Sequence, residues 1–472
     1  MVKTSTLWTS LGALALAFVS SSVTAQETYI VSGDRWKDTS GAYINAHGAG
    51  ILHDSSDNLW YWVGEYKNSG NGFQGFSLYS SSDLVNWDSH GIIVPPSSSL
   101  PFQVGERPKL IKNPKTGEYV LWFHADSTNY SLAKVGVCYS PNNVTGPYTC
   151  PSDGVFSPLG MQSRDMNVYV DTYNNDQGYL LFATNGNADV GVAKMTNDYK
   201  NVTSLISTIH SKLEGFGVFR DDVGLYNMVV SNQSGWQPNP NSLYTTPNLA
   251  TTNLTYSNYI APQAYNTWNS QNTFEISPND KLEVYIGDRW YSKDLQQSSY
   301  VWYPLVSRNL VHLPLWKPDS TNSIGYAVPA NQTFALSSNT TTVEGNSQAT
   351  FVDCNVCPSG KIATYVGNGN TFTLNNVSTP NGDAGQVWAS VYYSNSNSYP
   401  NWRFGSVSVN GGSMQNITYL TGGISNAILQ DTPVKLKLNA GTSNTITFGA
   451  SQSSPTSYAA DLSHVIIWQS DQ

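Results

Sequence analysis

An internal repeat in the first two thirds of the chain constrains the fold most. Short aromatic and β-branched segments, typical of buried strands, recur at 59–63, 119–123, 179–182, 226–230 and 284–286. About a dozen residues before each segment stands a polar residue, and these five residues are His47, Glu106, Asp165, Glu214 and Gln271. They lie roughly 50 to 60 positions apart, the length of one four-stranded propeller blade. The repeat predicts a five-bladed β-propeller.

The five polar residues are expected to meet in the folded protein. The first strand of each propeller blade lines the central channel, so residues distant in sequence converge at one mouth of that channel. The alternative is five solvated strand ends with no shared site. Because glycoside cleavage requires paired carboxylates, the recurrence of Glu106, Asp165 and Glu214 at equivalent positions favours a shared site that acts on sugars.

Glu214 is the predicted proton donor. It lies between Leu213 and Gly215-Phe216, and an apolar pocket raises the pKa of a carboxyl group by penalising its charged form. A raised pKa is what a general acid needs near neutral pH. Alone, such a glutamate would be interpreted as a strand-edge residue in a glycine turn. The accompanying carboxylates favour the catalytic interpretation.

Composition restricts the partners. Charged residues make up 12% of the chain, aromatic residues another 12%, and the net charge is -9. Nucleic acid and anionic membranes both require a basic face, so neither is an expected partner. A chain of this kind binds by stacking and neutral hydrogen bonds, which suits a neutral polysaccharide. We expect a monomer.

The N-terminus predicts export. Residues 1–25 combine Lys3, an apolar run over 11–19 and a small-residue cleavage site at 23–25, as in a secretory signal peptide. A secreted, extracellular protein is therefore expected. Nine Asn-X-Ser/Thr sequons would be glycosylation sites in a eukaryotic host.

The length of 472 residues predicts two domains. We assign 26–318 to the propeller, 319–340 to a linker rich in Ser, Thr, Asn and Pro, and 341–472 to a second domain. Clean alternation of apolar and polar residues in that domain, as at 434–438, predicts a β-sandwich of the jelly-roll kind. Helical periodicity is almost absent, so the fold class is all-β.

The four cysteines suit an oxidising compartment. Of three pairings, Cys138 with Cys150 and Cys354 with Cys357 is preferred, because each bridge then stays within one domain. A redox or metal role for the Cys-X-X-Cys pair is the alternative. The sequence has no second such pair and no histidine pair at ligand spacing, which favours structural disulfides.

Several short motifs resemble glycoside hydrolase family 43. They are Ser-Asp-Leu-Val-Asn-Trp at 82–87, Gly-Glu-Arg-Pro-Lys at 105–109, Ser-Arg-Asp at 163–165 and Gly-Asp-Arg-Trp at 287–290. Within that family, the runs at 45–52, 234–241 and 270–272 are similar to the fungal exo-β-1,3-galactanases. The resemblance covers nearly the whole chain after residue 25.

The resemblance implies an inverting hydrolase that releases galactose from the ends of β-1,3-galactan, the main chain of arabinogalactan, without a catalytic cofactor. It implies that Glu214 is the general acid, that Asp165 orients Glu214 and tunes its pKa, and that Gln271 positions the attacking water. Glu106 would hold sugar hydroxyls. Further contacts to substrate are expected from His47, Glu65, Trp236, Asp288, Arg289 and Trp290.

Three alternatives stay open. Most of the wider family has an aspartate base on the first blade, where 44–47 carries no acid here, so Glu106 or Glu65 could be the base instead of a water held by Gln271. A protein that binds galactan with little or no cleavage is a second alternative. An arabinofuranosidase or xylosidase of the same family is the third.

Tryptophans and the second domain complete the expectations. Trp236, Trp268, Trp290 and Trp302 are candidates for stacking on galactose, although most tryptophans of a propeller pack between blades and core packing is favoured for any one of them. Motifs at 407–412 and 458–462 resemble carbohydrate-binding module family 35. That resemblance implies a structural calcium, for which Glu344 and Asp461 are the matching ligands. A sandwich that merely caps the propeller is the alternative.

Overall fold

The computed structural model describes residues 26–97, 100–399, 401–421 and 428–469, and the predicted signal peptide 1–25 lies outside them. Strands dominate this part of the chain, as predicted. Its helical elements are short turns, and none of its helices has the length and apolar character needed to cross a membrane. They are the α-helical turn α1 (Asn266–Asn269) and the 3-10 turns Ser152–Gly154, Pro158–Gly160, Gln263–Tyr265 and Leu295–Gln297.

After a short strand β1 (Ile30–Val31), the described chain forms five antiparallel sheets of four strands, each paired in sequence order. Sheet 1 contains β2 (His47–Asp54), β3 (Leu59–Lys67), β4 (Phe73–Ser81) and β5 (Asp88–Val94); sheet 2 contains β6 (Val104–Lys112), β7 (Tyr119–Asp126), β8 (Lys134–Ser140) and β9 (Val155–Phe156); sheet 3 contains β10 (Met166–Asp171), β11 (Gln177–Thr184), β12 (Asp189–Met195) and β13 (Val202–Ile209); sheet 4 contains β14 (Leu213–Arg220), β15 (Tyr226–Asn232), β16 (Ser242–Thr246) and β17 (Thr255–Tyr259); sheet 5 contains β18 (Gln271–Asn279), β19 (Leu282–Arg289), β20 (Ser299–Val306) and β21 (Asn309–Leu310).

The first strands of the five sheets contact one another in a closed order. β2 packs against β6, β6 against β10, β10 against β14, β14 against β18, and β18 returns to β2. An apolar layer separates each sheet from the next, including sheet 5 from sheet 1. Four-stranded sheets with this packing fit the blades of a propeller.

The aromatic segments of the repeat lie in the second strand of each sheet, where both faces are buried. In β7, Leu121 and Phe123 pack toward sheet 1, whereas Val120 and Trp122 pack toward sheet 3. Successive residues of a strand point to opposite faces, so a strand between two layers needs large apolar side chains at every position. This is why these segments show continuous apolar runs.

Two of the four candidate tryptophans lie in the apolar layers. Trp302 is fully buried, with its ring centroid 5.4 Å from that of Trp62. Trp268 stacks on His312 at 4.9 Å and is 8% exposed. For Trp268 and Trp302, core packing is the correct interpretation.

The remaining strands complete the N-terminal part of the chain and form a separate C-terminal part. β22 (Leu315–Pro318) pairs with β1 and with β23 (Tyr326–Ala327). Two further sheets share one apolar core, as in a β-sandwich. Their strands are β24 (Asn331–Ala335), β25 (Thr341–Glu344), β26 (Thr350–Asp353), β27 (Lys361–Thr364), β28 (Thr371–Val377), β29 (Gly385–Ser394), β30 (Arg403–Val409), β31 (Gln415–Tyr419), β32 (Gln430–Leu438), β33 (Asn444–Ala450) and β34 (Asp461–Trp468).

The segment 319–340, predicted as a linker, contains paired strands. β23 belongs to the small N-terminal sheet, and β24 pairs with β34 of the sandwich. The polar residues of this segment are exposed or half-buried, and most of them lie in turns, which explains why its composition looked like that of a linker. The cysteine prediction is confirmed, because Cys138 is bonded to Cys150 and Cys354 to Cys357.

Candidate active site

The five polar residues of the repeat share one end of the closed ring of first strands. His47 and Gln271 begin β2 and β18, Glu106 and Glu214 lie within the first residues of β6 and β14, and Asp165 directly precedes β10. Because these strands contact one another in order, their starting residues face a common space. The structure therefore brings together the residues that the repeat predicted would meet.

A shared backbone irregularity aims three of these side chains. The next residue has a positive φ in each case, 60° at Gly48, 52° at Arg107 and 60° at Gly215. Strand pairing slips just beyond it in β2, β6 and β14, and such a bulge re-aims the neighbouring side chain. Glycine accepts this conformation freely, whereas Arg107 adopts it under the strain that is typical of functional sites.

Glu214 is held by three donors on one oxygen. Its Oε1 accepts hydrogen bonds from the backbone N–H groups of Ser234 at 2.9 Å and Gly235 at 3.1 Å, and from Nε2 of Gln271 at 2.7 Å. Oε2 is therefore the oxygen suited to carry a proton. Burial and the negative charge of Asp165 raise the pKa of Glu214 to about 7. A carboxyl group with this pKa can act as a general acid near neutral pH.

Arg107 connects Asp165 to Gln271. Its Nε lies 3.1 Å from Oδ2 of Asp165, and its Nη2 donates to Oε1 of Gln271 at 2.8 Å. Asp165 also accepts a hydrogen bond from the N–H of Gly215 at 3.0 Å, next to Glu214. Asp165 is thus in position both to orient the strand start that carries Glu214 and to act on its charge.

The amide of Gln271 is fixed by its partners. Oε1 accepts from Arg107 and from Nε1 of Trp290 at 2.7 Å, while Nε2 donates to Glu214 and to Oγ of Ser231 at 2.9 Å. Arg107 and Trp290 are donors only, which determines which end of the amide is oxygen.

Glu106 belongs to an adjoining charge network. It lies 3.6 Å from Nζ of Lys67 and 3.2 Å from Nδ1 of His124, and it accepts a hydrogen bond from the Tyr130 hydroxyl at 2.6 Å. Burial alone would raise the pKa of Glu106, but Lys67 and His124 hold it at about 2. Asp126 and Glu106 in turn outweigh burial and raise the pKa of His124 to about 9.

This network is not suited to a metal ion. One oxygen each of Glu106 and Asp165 and a ring nitrogen of His124 lie within 4.8 Å of one another, a donor set that could attract a cation. Lys67 and Arg107 already neutralise the two carboxylates. A divalent cation would have to displace both, so we interpret the cluster as charge-balanced support for the site.

Neither alternative base is well placed. Glu65 is fully buried, and its oxygens face the N–H of Arg107 at 2.8 Å and Nζ of Lys67 at 3.0 Å. A glutamate with a pKa of about 2, as at Glu106, is a weak proton acceptor near neutral pH.

Two predicted substrate-contact residues of sheets 1 and 5 are buried supports. Asp288 accepts from the N–H of Gly48 at 3.0 Å and lies 3.4 Å from Nδ1 of His47, whose ring stacks on Tyr300. Arg289 is directed elsewhere. It follows Asp288 in β19 and so points to the opposite face, where it donates to the carbonyl of Trp268 at 2.8 Å.

The two remaining tryptophans of the prediction stand side by side. Their rings pack edge to face with centroids 4.7 Å apart. Trp290 is 2% exposed and holds Gln271 through its indole N–H, so its main contact is with the protein. Trp236 is half-buried, with Nζ of Lys67 5.2 Å from its ring centroid. Trp236 is therefore the better stacking surface for a sugar.

The two predicted calcium ligands lie on strands of different sheets. Glu344 is exposed at the end of β25, whereas Asp461 begins β34 in the other sheet of the sandwich. Burial raises the pKa of Asp461 to about 6, and the nearby Arg403 opposes this. Within the ranges that the structure covers, neither residue belongs to a cluster of three carboxylate, histidine or cysteine ligands.

Sequence reasoning named Glu65 and Asp288 but missed His124 and Ser231 in the second layer of the site. Antiparallel pairing places Glu65, His124, Ser231 and Asp288 opposite His47, Glu106, Glu214 and Gln271, respectively. A polar residue in an otherwise apolar second strand was the available signal. Arg107 also went unassigned, although it stands within the motif at 105–109.

A cavity of about 1260 Å³ opens at the opposite end of the first strands. Its walls include Asp54, Lys112, Arg220 and Glu283, and it contains none of the five polar residues of the repeat. The carboxyl and amide groups described above lie at the other end, so this cavity is separate from the candidate active site.

Gly217 makes room for a buried carboxyl group beneath Glu214. A Cβ atom at this position would lie 1.6 Å from Oε2 of Glu275, which is buried and whose pKa burial raises well above its usual value. We expect Gly217→Ala to destabilise the fold by about 3 kcal/mol through overpacking, measured by thermal unfolding. Gly385→Ala, with open space around the new methyl group, is the matched control.

The double variant Gly217→Ala/Glu275→Ala locates the cause. It should unfold at a higher temperature than Gly217→Ala alone, because the clashing carboxyl group is gone. Equal melting temperatures for Gly217→Ala and Gly385→Ala would contradict the predicted clash.

Comparison with known proteins gives independent evidence on which family the chain resembles. No protein-family model and no curated protein matches the chain. The crystal structure of an exo-β-1,3-galactanase from Phanerochaete chrysosporium with galactose is 37% identical, covers 93% of this chain and 100% of that one, and has a TM-score of 0.84. A glutamate-to-alanine variant of it with β-1,3-galactotriose matches equally. An exo-β-1,3-galactanase from Clostridium thermocellum is 25% identical over 86% and 100% of the two chains, with a TM-score of 0.57.

Proposed function

Because the chain belongs to the exo-β-1,3-galactanases of glycoside hydrolase family 43, we propose that it releases galactose from the ends of β-1,3-galactan. The observation that carries this proposal is Glu214, a carboxyl group with a pKa of about 7 whose Oε1 is held by three donors. The Phanerochaete chrysosporium structures with galactose and β-1,3-galactotriose support the same class of substrate.

The proposed reaction is a single displacement with inversion. Glu214 donates the proton on Oε2 to the glycosidic oxygen, while a water held by Gln271 attacks the anomeric carbon from the opposite face. The attacking water loses one proton to solvent, and Glu214 regains a proton from solvent before the next turnover. Asp165 keeps Glu214 protonated through its charge and holds the N–H of Gly215. Glu106, with its charge balanced by Lys67 and His124, accepts hydrogen bonds from sugar hydroxyls.

The wider architecture is part of the proposal. The closed order of contacts between first strands supports a five-bladed propeller that carries the site on its axis. The sandwich is proposed to be a carbohydrate-binding module, and the protein is proposed to be a secreted monomer that acts on extracellular arabinogalactan. Domain limits at 318 and 341 remain predictions.

A substrate panel tests the function. The purified protein is incubated with β-1,3-galactan, arabinan and xylan, and the products are separated by chromatography. Free α-galactose from β-1,3-galactan, detected by NMR before mutarotation, is the expected result. Arabinose or xylose as the product would favour the other activities of the family. Tight binding to galactan with no product over a long incubation would favour a galactan-binding protein.

Activity should fall as pH rises through the pKa of Glu214. The acid acts in its protonated form, so kcat/KM is expected to decline above pH 7, by about tenfold per pH unit at the limit. Because the charge of Asp165 raises the pKa of Glu214, Asp165→Asn should move this alkaline limb to lower pH. A limb that stays in place in Asp165→Asn would contradict the electrostatic role.

A further inference from the structure

The sandwich reaches the rim of the candidate site between β29 and β30. The hydroxyl group of Tyr399 donates to the carbonyl of Trp236 at 2.6 Å and also lies within hydrogen-bonding reach of Ser292. Close by, the ring of Trp402 stacks on Tyr291, with centroids 4.5 Å apart and planes 25° apart. Two aromatic residues of the second domain thus contact two loop segments of the first, 234–236 and 290–292.

These two segments hold the proposed acid and its glutamine partner. The first supplies the N–H groups of Ser234 and Gly235 to Glu214. The second supplies the indole N–H of Trp290 to Gln271. The rings of Trp236 and Trp290 also pack against each other. A shift of either segment would therefore displace hydrogen-bond donors of both Glu214 and Gln271.

The first of these segments is held from both domains. It lies in the connection between β15 and β16, where Gly235 is exposed and has a φ of 58°. Asn239 donates to Oγ of Ser234 at 2.6 Å, and that hydroxyl donates to the carbonyl of Gln237 at 2.8 Å. Between these two anchors, Tyr399 holds the carbonyl of Trp236. Ordering a loop residue costs conformational entropy, and the hydrogen bond from Tyr399 offsets part of that cost at the carbonyl of Trp236.

We propose that Tyr399 and Trp402 are positioning residues, through which the sandwich clamps segments 234–236 and 290–292 and so completes the active site. The proposal rests on the proposed function, since it concerns the geometry of Glu214 and Gln271. It gives the second domain a part in bond cleavage that is separate from any binding of polysaccharide. Cleavage of a short soluble oligosaccharide therefore depends on the sandwich as well.

Other contacts hold the two domains together without these residues. Nζ of Lys435 lies 2.6 Å from Oε1 of Glu27, and His312 lies 2.7 Å from Asp431. Removing one hydroxyl group at Tyr399 therefore leaves the domains docked. An effect of this substitution on kcat would therefore come from the clamp and not from loss of the interface between the domains.

The test compares full-length variants on β-1,3-galactotriose. Tyr399→Phe is expected to lower kcat about fivefold, the equivalent of one hydrogen bond, with little change in KM. The N–H groups of Ser234 and Gly235 favour the charged form of Glu214. When the substitution loosens these donors, the pKa of Glu214 should rise, and the alkaline limb of the pH profile should move to higher pH. Trp402→Ala should act in the same direction, and Trp402→Phe should restore most of kcat by restoring the stacking.

Lys435→Met is the control, because it breaks an interdomain contact away from segments 234–236 and 290–292. If Tyr399→Phe and Trp402→Ala match wild type and Lys435→Met in kcat and pH profile, the clamp is overturned and the galactanase proposal stands. If the wild-type protein releases no galactose, both proposals fail. Tyr399→Phe keeps the test decisive if Trp402→Ala does not fold.

Discussion

Glu214→Gln is expected to lower the rate of galactose release from β-1,3-galactan by about a thousandfold. Glutamine has the same shape as glutamate, and its side-chain oxygen can still accept hydrogen bonds from Ser234 and Gly235. It has no acidic proton, so the leaving oxygen would depart as a poorly stabilised anion. Galactose release is followed by chromatography, and binding of β-1,3-galactotriose by calorimetry. The affinity should stay within a few-fold of wild type.

Glu283→Gln is the matched control for this prediction. Burial also raises the pKa of Glu283 to about 7, but Glu283 lines the cavity at the opposite end of the first strands. Its replacement should leave galactose release unchanged. A Glu214→Gln variant with more than a tenth of wild-type activity would rule out Glu214 as the general acid.

The meeting of four catalytic candidates could be predicted from sequence because the repeat itself encodes their position. An aromatic second strand follows each polar residue at nearly constant spacing, so Glu106, Asp165, Glu214 and Gln271 occupy equivalent places in successive sheets. Once the sheets pack in a closed order, equivalence in sequence becomes proximity in space. The pairing register between first and second strands would extend the same logic to His124, which lies opposite Glu106.

The role of Arg107 could not be predicted in this way. Its role depends on a positive φ at a position where the equivalent residues are Gly48 and Gly215. No local sequence pattern predicts that an arginine adopts the same backbone conformation. The placement of Arg289 could not be predicted for a related reason. Alternation along a strand shows that Asp288 and Arg289 point to opposite faces, but not which face meets the site.

The tryptophans show a further limit of sequence reasoning. Trp236 and Trp302 are equally aromatic in sequence, yet one is half-buried beside Lys67 and the other is fully buried between sheets 5 and 1. Layers between sheets need large side chains just as a sugar platform does. Only the packing of neighbouring sheets separates the two uses.

Gln271→Ala is expected to lower kcat about a hundredfold, the usual cost of removing one well-placed hydrogen-bonding group from an active site. The substitution deprives Arg107 and Trp290 of their acceptor and Glu214 of a donor. Since that donor favours the charged form of Glu214, the alkaline limb of the pH profile should also move to higher pH. Gln271→Ala activity within tenfold of wild type would contradict a catalytic role.

The contact between Gln271 and Glu214 makes the role of the glutamine testable in more detail. Nε2 of Gln271 lies 2.7 Å from Oε1 of Glu214, whereas the two catalytic groups of an inverting hydrolase stand about 6.5–9.5 Å apart to hold a sugar and a water. The glutamine must therefore exchange this hydrogen bond for the water when substrate binds, or else it acts only on the acid.

Azide distinguishes these two roles. In Gln271→Ala it can enter the space left by the side chain and attack the anomeric carbon of a β-linked galactose, with Glu214 protonating the departing oxygen. If Gln271 positions the water, azide should restore turnover and give α-galactosyl azide, identified by NMR and mass spectrometry. A shifted pH profile without rescue would instead assign Gln271 to the support of Glu214, and the attacking water would then need another partner at this end of the first strands.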